Sequence, residues 1–325
     1  MKDKKKSIDA DKKESIKASA TITAKHFYKD IPSGSGIEAA SDGFYVIGDD
    51  TPFLYQLDKN YKQVAKYELF DTADFKNGRI PKPLKPDLES LATFTYKDKS
   101  YLFTIGSGSS EVRKKAYLVE LPINSEKPEV KVIDLKGLFD TLQKNKSIVG
   151  DELLNIEGLD FSDDKVYLLQ RALNKAGNLV LTFELSDFNA FLFEDKPLPK
   201  PELYFVKLPS LQGYQAGFSG AYVLEDKLFF TASVESAPDA IQDGEVLGSC
   251  VGFIPLADLP KATNADKPVI AKAAIVTDEN EKTYIGKIES LVVDKGEKNG
   301  KCKVIAISDD DKGHSEILEV EFMVE

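Results

Sequence analysis

The 325-residue chain has no tryptophan, only two histidines and only two cysteines, and no apolar run long enough to cross a membrane as a helix. Without a His/Cys cluster, zinc has no ligand set here. Cys250 and Cys302 stand far apart without metal spacing and read as buried free thiols. Basic residues are outnumbered, 43 Lys and Arg against 54 Asp and Glu, for a net charge of −11. No basic stripe is left to neutralise phosphates, which excludes nucleic acid as a partner and favours a cation or a basic one. What is present is bulk of another kind, with 13 Tyr and 19 Phe in place of tryptophan. Met1 to Lys17 is a mixture of Lys, Asp, Glu and Ser with no apolar h-region, so it reads as a charged lead-in rather than a signal peptide. Residues 18–325 remain as one domain, expected to be a monomer. The compartment reads as cytoplasmic for the chain as written, or exported if a signal peptide has been removed.

Self-similarity organises the rest. Five segments share an apolar residue, then Glu or Ser, then a small residue: Gly36-Ile37-Glu38-Ala39-Ala40, Asp87-Leu88-Glu89-Ser90-Leu91, Asn155-Ile156-Glu157-Gly158-Leu159, Gly217-Phe218-Ser219-Gly220-Ala221 and Lys287-Ile288-Glu289-Ser290-Leu291. Each runs through a turn rich in Asp, Gly and Lys into a second apolar strand, as tight hairpins require. Third strands follow at Phe53 to Leu57, Ala116 to Leu121, Leu179 to Leu185, Val251 to Pro255 and Ile317 to Phe322. Fourth strands follow in the first four copies, at Val64 to Leu69, Val130 to Leu135, Leu203 to Leu208 and Ala273 to Thr277. The fifth copy lacks one, and Ala18 to Phe27 alternates like the strand that would complete it. This pattern predicts an all-β propeller, five blades of four antiparallel strands, closed by its N-terminal strand. A doubly wound α/β sheet fails on content, because only Leu135 to Leu142 and a few loop turns look helical.

In such a ring the first strand of each blade lies on the axis. Glu38, Glu89, Glu157 and Glu289 would then converge, with Ser219 as the fifth member. Like charges that close raise one another's pKa and need a cation, an arginine or a proton. Arg171 ends a strand and Arg113 follows the loop Gly106 to Ser110 near the same rim, with Asp49, Asp50, Ser107, Ser109, Glu235, Asp309, Asp310 and Asp311 from the matching strand ends. Hard oxygen ligands in this number favour Ca²⁺ or Mg²⁺. The same repetition is also what an architectural clasp on neighbouring backbone would produce, and both readings stay open. His26 falls in the closing strand and His314 in an acidic hairpin loop. No Gly-x-Ser-x-Gly elbow is present, so a Ser-His-Asp hydrolase is disfavoured. Gly106-Ser107-Gly108-Ser109-Ser110 lacks the following helix of a phosphate loop, although with Arg113 beside it an anion could bind there.

Ile156-Glu157-Gly158-Leu159, the stretch Lys82 to Leu91, and Gly106 to Ser110 with Arg113 resemble an uncharacterised bacterial β-propeller family, a domain of unknown function, over about Ile37 to Phe322. The Glu-Gly signature is more distantly similar to phytase-like esterase, SdiA-regulated and gluconolactonase-type propellers. The last resemblance implies a divalent-metal ligand at Glu38, although Asn155 precedes a Glu and no Asn-Asp pair completes that group's ligand set. Two functions are expected from these readings. One is a propeller that binds a small molecule or a protein at an acidic channel mouth. The other is a divalent-metal-dependent hydrolase, phosphoesterase- or lactonase-like, that uses the channel glutamates.

Overall fold

The strands predicted from alternation pair as successive antiparallel hairpins in the computed structural model, which describes residues 18–172, 177–236, 244–294, 300–310 and 312–324. The lead-in expected over residues 1–17 and the rim candidate Asp311 lie outside the described residues. A strand β1 (Ala18–Tyr28) comes first. The first blade is β2 (Gly34–Ala40), β3 (Gly43–Gly48), β4 (Phe53–Asp58) and β5 (Gln63–Glu68). The second is β6 (Leu88–Tyr96), β7 (Lys99–Gly106), β8 (Lys115–Leu121) and β9 (Val130–Asp134). The third is β10 (Ile156–Phe161), β11 (Lys165–Gln170), β12 (Asn178–Glu184) and β13 (Glu202–Lys207). After a small hairpin, β14 (Ser210–Leu211) and β15 (Tyr214–Gln215), the fourth runs β16 (Gly217–Leu224), β17 (Lys227–Glu235), β18 (Val246–Pro255) and, past the short β19 (Val269–Ile270), β20 (Lys272–Thr277). The last is β21 (Lys287–Val293), β22 (Lys301–Asp309) and β23 (Ser315–Val324).

The ring closes as the alternation of Ala18 to Phe27 predicts. β1 pairs antiparallel with β23 from Ala18↔Val324 to Tyr28↔Ser315 and becomes the outer strand of the last blade. It also lies parallel to β20, so the last two blades form one eight-stranded sheet. The exposed edge of β13 is covered in a similar way by β19. Covering edges removes unpaired backbone that would otherwise recruit another chain. The inner strands β2, β6, β10, β16 and β21 touch one another in cyclic order, and β21 returns to β2.

Apolar residues on both faces of each blade interleave with the next blade. At the closure, Ile37, Val46, Tyr55 and Leu57 pack on Val292, Ile305, Ile307 and Ile317. Two helices, α1 (Lys136–Lys144) and α2 (Lys146–Val149), insert Leu138, Phe139, Leu142, Ile148 and Val149 into the core between blades two and three. A third, α3 (Leu185–Phe193), begins where the sequence pattern ends a strand, and it was not expected. Phe188 and Leu192, one helical turn apart, bury together there, and Phe188 sits in edge-to-face contact with Phe103 and Phe161. Burying a phenylalanine of this kind contributes about 1.5–3 kcal/mol, enough to override a β-leaning local sequence.

Candidate functional site

Every inner strand carries a β-bulge at the same place. The pairing skips one residue between Gly34 and Gly36, Leu88 and Ser90, Ile156 and Gly158, Phe218 and Gly220, and Ile288 and Ser290. The residues left out of the ladder are Ser35, Glu89, Glu157, Ser219 and Glu289. A bulge re-aims one side chain and kinks its strand, and here it does so in all five repeats. The small residue that follows has a steric cause. A Cβ on Gly220 would come within 2.6 Å of the Glu289 carbonyl and 2.7 Å of the Ser290 Cα in the next blade.

This register corrects one expectation. Glu38 is not the counterpart of Glu89, Glu157 and Glu289; Ser35 is. The acidic position therefore recurs in three repeats, not four, and serines occupy the other two. The physical reason is the hairpin length. Gly34 pairs with Gly48 over the same span that joins Ile156 to Gln170 and Phe218 to Ala232, whereas Ile37, Glu38 and Ala39 pair without interruption with Val46, Tyr45 and Phe44. The two serines act as clasps: Ser35 Oγ donates to the Leu88 carbonyl at 2.5 Å and Ser219 Oγ to the Ile288 carbonyl at 2.6 Å, each bridging to another blade.

The three glutamates share one charged cluster, and its cations come from positions the sequence pattern did not single out. Side chains two residues apart on a strand share a face. The residues two before the bulge are Ser33, Asp87, Asn155, Gly217 and Lys287. Lys287 Nζ lies 2.9 Å from Glu289 Oε1. Asn155 Nδ2 donates to Glu157 Oε1 at 2.6 Å. Asp87 binds Lys85 at 2.9 Å and Arg113 at 2.6 Å, and accepts from Ser107 Oγ. Lys85 also binds Asp49. In the fourth blade the position is Gly217, and Arg171 fills its space: a Cβ there would meet Arg171 Cγ at 2.7 Å. From that slot Arg171 reaches Glu157 at 3.4 Å and Glu235 at 2.5 Å. Arg79 binds the neighbouring Asp50.

Charge and burial set the protonation. Burial drives Glu89 well above the usual carboxylate range, helped by Asp87 and Glu157 and opposed by Lys85. Burial raises Glu157 too, against Arg171 and Lys287. Glu289 is pushed up to about 8 by burial, with Lys287 pulling the other way. By contrast Asp87, although buried, is held low by Lys85 and Arg113. Burial also works against Glu235, which Arg171 and Lys287 keep low. The cluster is not saturated. Glu89, 8% exposed, accepts no hydrogen bond among the described residues. Glu289 Oε2 and Arg171 Nε are buried without partners.

Three residues along the same strands, the chemistry changes. Glu38 and Asp160 occupy equivalent positions of β2 and β10 and are both buried. Thr93 Oγ1 donates to Glu38 at 3.2 Å, and the Val223 amide donates to Asp160. Burial raises both, each strongly, and Asp160 adds to the rise at Glu38; Asp160 reaches about 7.

Of the sequence-predicted residues, the structure joins Glu89, Glu157, Glu289, Arg171 and Glu235 in one cluster and places Asp49, Ser107, Ser109 and Arg113 on its flank. Arg113 turns inward to Asp87 and Ser109, so the Gly106 to Ser110 loop braces a carboxylate instead of opening towards an anion. His314 bonds Asp310 at 2.7 Å in its hairpin, and His26 bonds Glu319 at 3.1 Å in the closing strand. The missed members are Lys85, Asp87 and Lys287. For two of them the signal was available: Asp87 and Lys287 sit two residues before a bulged glutamate inside the repeat itself. The oxygen donors nearest to a metal set are Asp49, Asp87 and Glu89, whose carboxylate atoms lie within 4.8 Å of one another. Lys85 already contacts the first two.

No curated protein matches the chain. Among solved structures it is similar to the glutaminyl cyclase of Myxococcus xanthus, with a TM-score of 0.49 and 12% identity over 96% of this chain and 100% of that one. It is also similar to the α-L-arabinanase of Cellvibrio cellulosa, with a TM-score of 0.46 and 11% identity over 91% of this chain and 92% of that one. A third likeness is to extracellular domains 1–2 of Drosophila Semaphorin 1b, at 0.43 and 11% over 94% and 80%. These are low-identity likenesses of fold. A family model covers nearly the whole described ring, from residue 30 to residue 322, and the chain belongs to that family of unknown function, DUF6929.

Proposed function

We propose that this propeller is a binding protein whose bulge-end cluster takes a small cation, metallic or organic. The observation that carries the reading is Glu289 Oε2, a buried carboxylate oxygen without a partner, in the same anion-rich cluster as Glu89. An uncompensated buried charge costs several kcal/mol, so a positive ligand there gains more than it would at the surface. The lining cations, Lys85, Arg113, Arg171 and Lys287, hold the other carboxylates in place and leave Glu89 and one oxygen of Glu289 to the ligand. The test is thermal unfolding with calcium chloride, magnesium chloride and 1,4-diaminobutane. A ligand at a hundred times its Kd stabilises by about 2.7 kcal/mol, and the shift disappears in Glu89→Gln. No shift with any of these probes at millimolar concentration overturns the reading.

A second reading is favoured by the close approach of Asp49, Asp87 and Glu89. In it a divalent ion displaces Lys85 from the first two and supplies a Lewis acid for hydrolysis of an ester, lactone or phosphoester. Lys85 would have to swing aside, which argues for binding before catalysis. Turnover of such a panel with calcium or manganese, lost in Glu89→Gln, moves this reading ahead.

A further inference from the structure

Around the mouth of the charged cluster the surface changes character. Of the nine large apolar side chains exposed among the described residues, five stand on the loops that lead into it: Leu84, Val112, Leu153, Tyr214 and Ile285, from 40% to 61% exposed. Four of them recur with the repeat, four or five residues before a bulged one: Leu84 before Glu89, Leu153 before Glu157, Tyr214 before Ser219 and Ile285 before Glu289. Val112 precedes Arg113, the partner of Asp87. In the first repeat the matching residue, Ile31, is buried instead. Backbone bonds tie these loops into one face: the Asp87 amide donates to the Asp49 carbonyl at 3.2 Å, Ser107 to Asp87 at 2.9 Å and Ile156 to Ser107 at 2.9 Å. Farther round the ring, a Cβ on Gly248 would meet Thr283 at 2.9 Å and Leu211 at 3.3 Å, so the loop of Ile285 and the hairpin of Tyr214 are neighbours. A lone exposed apolar residue is ordinary, but recurrence at one place in four of five repeats is the mark of an interaction surface.

We propose that this face docks a protein partner through a basic side chain flanked by apolar residues: the charged head enters the acidic mouth and the flanks lie on the apolar collar. The proposal rests on the cation-binding reading above and names the carrier of the cation. Glu289 Oε2 is buried without a partner on a residue only 4% exposed, so the mouth offers a place to a positive group. A second copy of this chain is the wrong occupant, because a two-fold interface would set one acidic mouth against another at a net charge of −11 each. A metal ion or a small amine would leave the collar in water, since its side chains come from four repeats around the ring. A protein surface covers them together. Apolar contacts around a buried charge pair exclude water and strengthen the attraction between its members.

Fluorescence anisotropy with the full chain decides it. The probe is the peptide amide Leu-Ala-Lys-Ala-Leu, labelled with fluorescein at its N-terminus. Its controls carry norleucine in place of the lysine, or serine in place of both leucines. The lysine peptide is expected to bind about tenfold or more tightly than either control, and to weaken by about tenfold in the double variant Leu153→Ser, Ile285→Ser. Val132→Ser, an equally exposed position on the outer strand β9, leaves its Kd unchanged. Equal binding of the seryl peptide, or a Kd indifferent to the collar variant, overturns the collar's part. Equal binding of the norleucine peptide overturns entry of the charged head. Thermal stabilisation by calcium chloride or 1,4-diaminobutane without binding of the lysine peptide overturns this proposal and spares the cation-binding reading; no response to any of these probes overturns both. A dimer in sedimentation velocity that the collar variant dissociates would assign the face to a second copy and overturn the proposal.

Discussion

The two ends of the inner strands make opposite use of the same residue type. At the bulge end, Glu157, Glu235 and Glu289 stand beside Arg171 and Lys287, and a cation is within reach of nearly every carboxylate. Three residues on, Glu38 and Asp160 have a hydroxyl and a backbone amide as partners, and no cation contributes to either. Repetition of an acidic residue along an axis is therefore not one device. Where lysine and arginine are interleaved, carboxylates and cations form one ion-paired cluster. Where only hydrogen bonds are available, burial holds the carboxyls' affinity for their protons above the usual range.

The largest effect that would break this contrast is at Arg171. Arg171→Met strips Glu157 and Glu235 of their shared cation and is expected to cost about 3–5 kcal/mol at pH 7.5, read from urea unfolding. Much of the loss should be recovered at pH 5, where the orphaned carboxylates take up protons. A loss indifferent to pH would mean that packing, not charge, dominates that slot.

The pair at the other end has the reverse sign. A carboxyl whose folded-state pKa is raised holds its proton more tightly when folded, so its stabilising effect is complete at acid pH. That effect fades as pH climbs from the unfolded value, about 4, through the folded one, which for Asp160 is about 7. Over that window stability should fall by about 1.4 kcal/mol per pH unit for each such group. Asp160→Asn keeps an oxygen for the Val223 amide and removes the slope, making the variant more stable than the parent at pH 8 and indistinguishable from it near pH 4. Guanidinium melts at the two pH values measure this, and a parent slope that persists in the variant would place the titration elsewhere.

Smaller in size is Gly217→Ala. The added methyl presses on Arg171 at 2.7 Å, and overpacking of this order costs about 1–3 kcal/mol. It should add little on top of Arg171→Met, since both act through one slot, and the double variant tests that non-additivity. The smallest change belongs to the serine clasps. Ser35→Ala and Ser219→Ala each remove one hydrogen bond between blades and should lower stability by about 1 kcal/mol without altering cation binding. A change in ligand affinity in either serine variant would extend the binding site beyond the glutamates.

Much of the ring was legible beforehand. Periodic apolar strands, turn residues between them and an alternating segment at the N-terminal side suffice for blades and for closure, because both follow from backbone pairing that local pattern controls. The repeated glutamates at 89, 157 and 289 were legible because each lies at one repeat position, Arg171 because it follows a repeated strand, and Arg113 because it follows the Gly106 to Ser110 loop. What was misread, Glu38, turned on a three-residue shift that apolarity alone does not resolve, since Gly34-Ser35-Gly36 and Ile37-Glu38-Ala39 both fit the pattern loosely. The helix α3 was missed because its aromatic residues favour a strand locally and fold as a helix only against Phe103 and Phe161.

The sequence by itself determined the repeat, the antiparallel hairpins and the supply of acid near the axis, since these depend on residues close together in the chain. Only the tertiary structure decided which acids have counterions. Lys85, Arg171 and Lys287 come from different blades, and their partners are set by bulge register and by a missing side chain at Gly217. Electrostatic energy depends on distances of a few ångströms between such groups, and those exist only once the ring has closed.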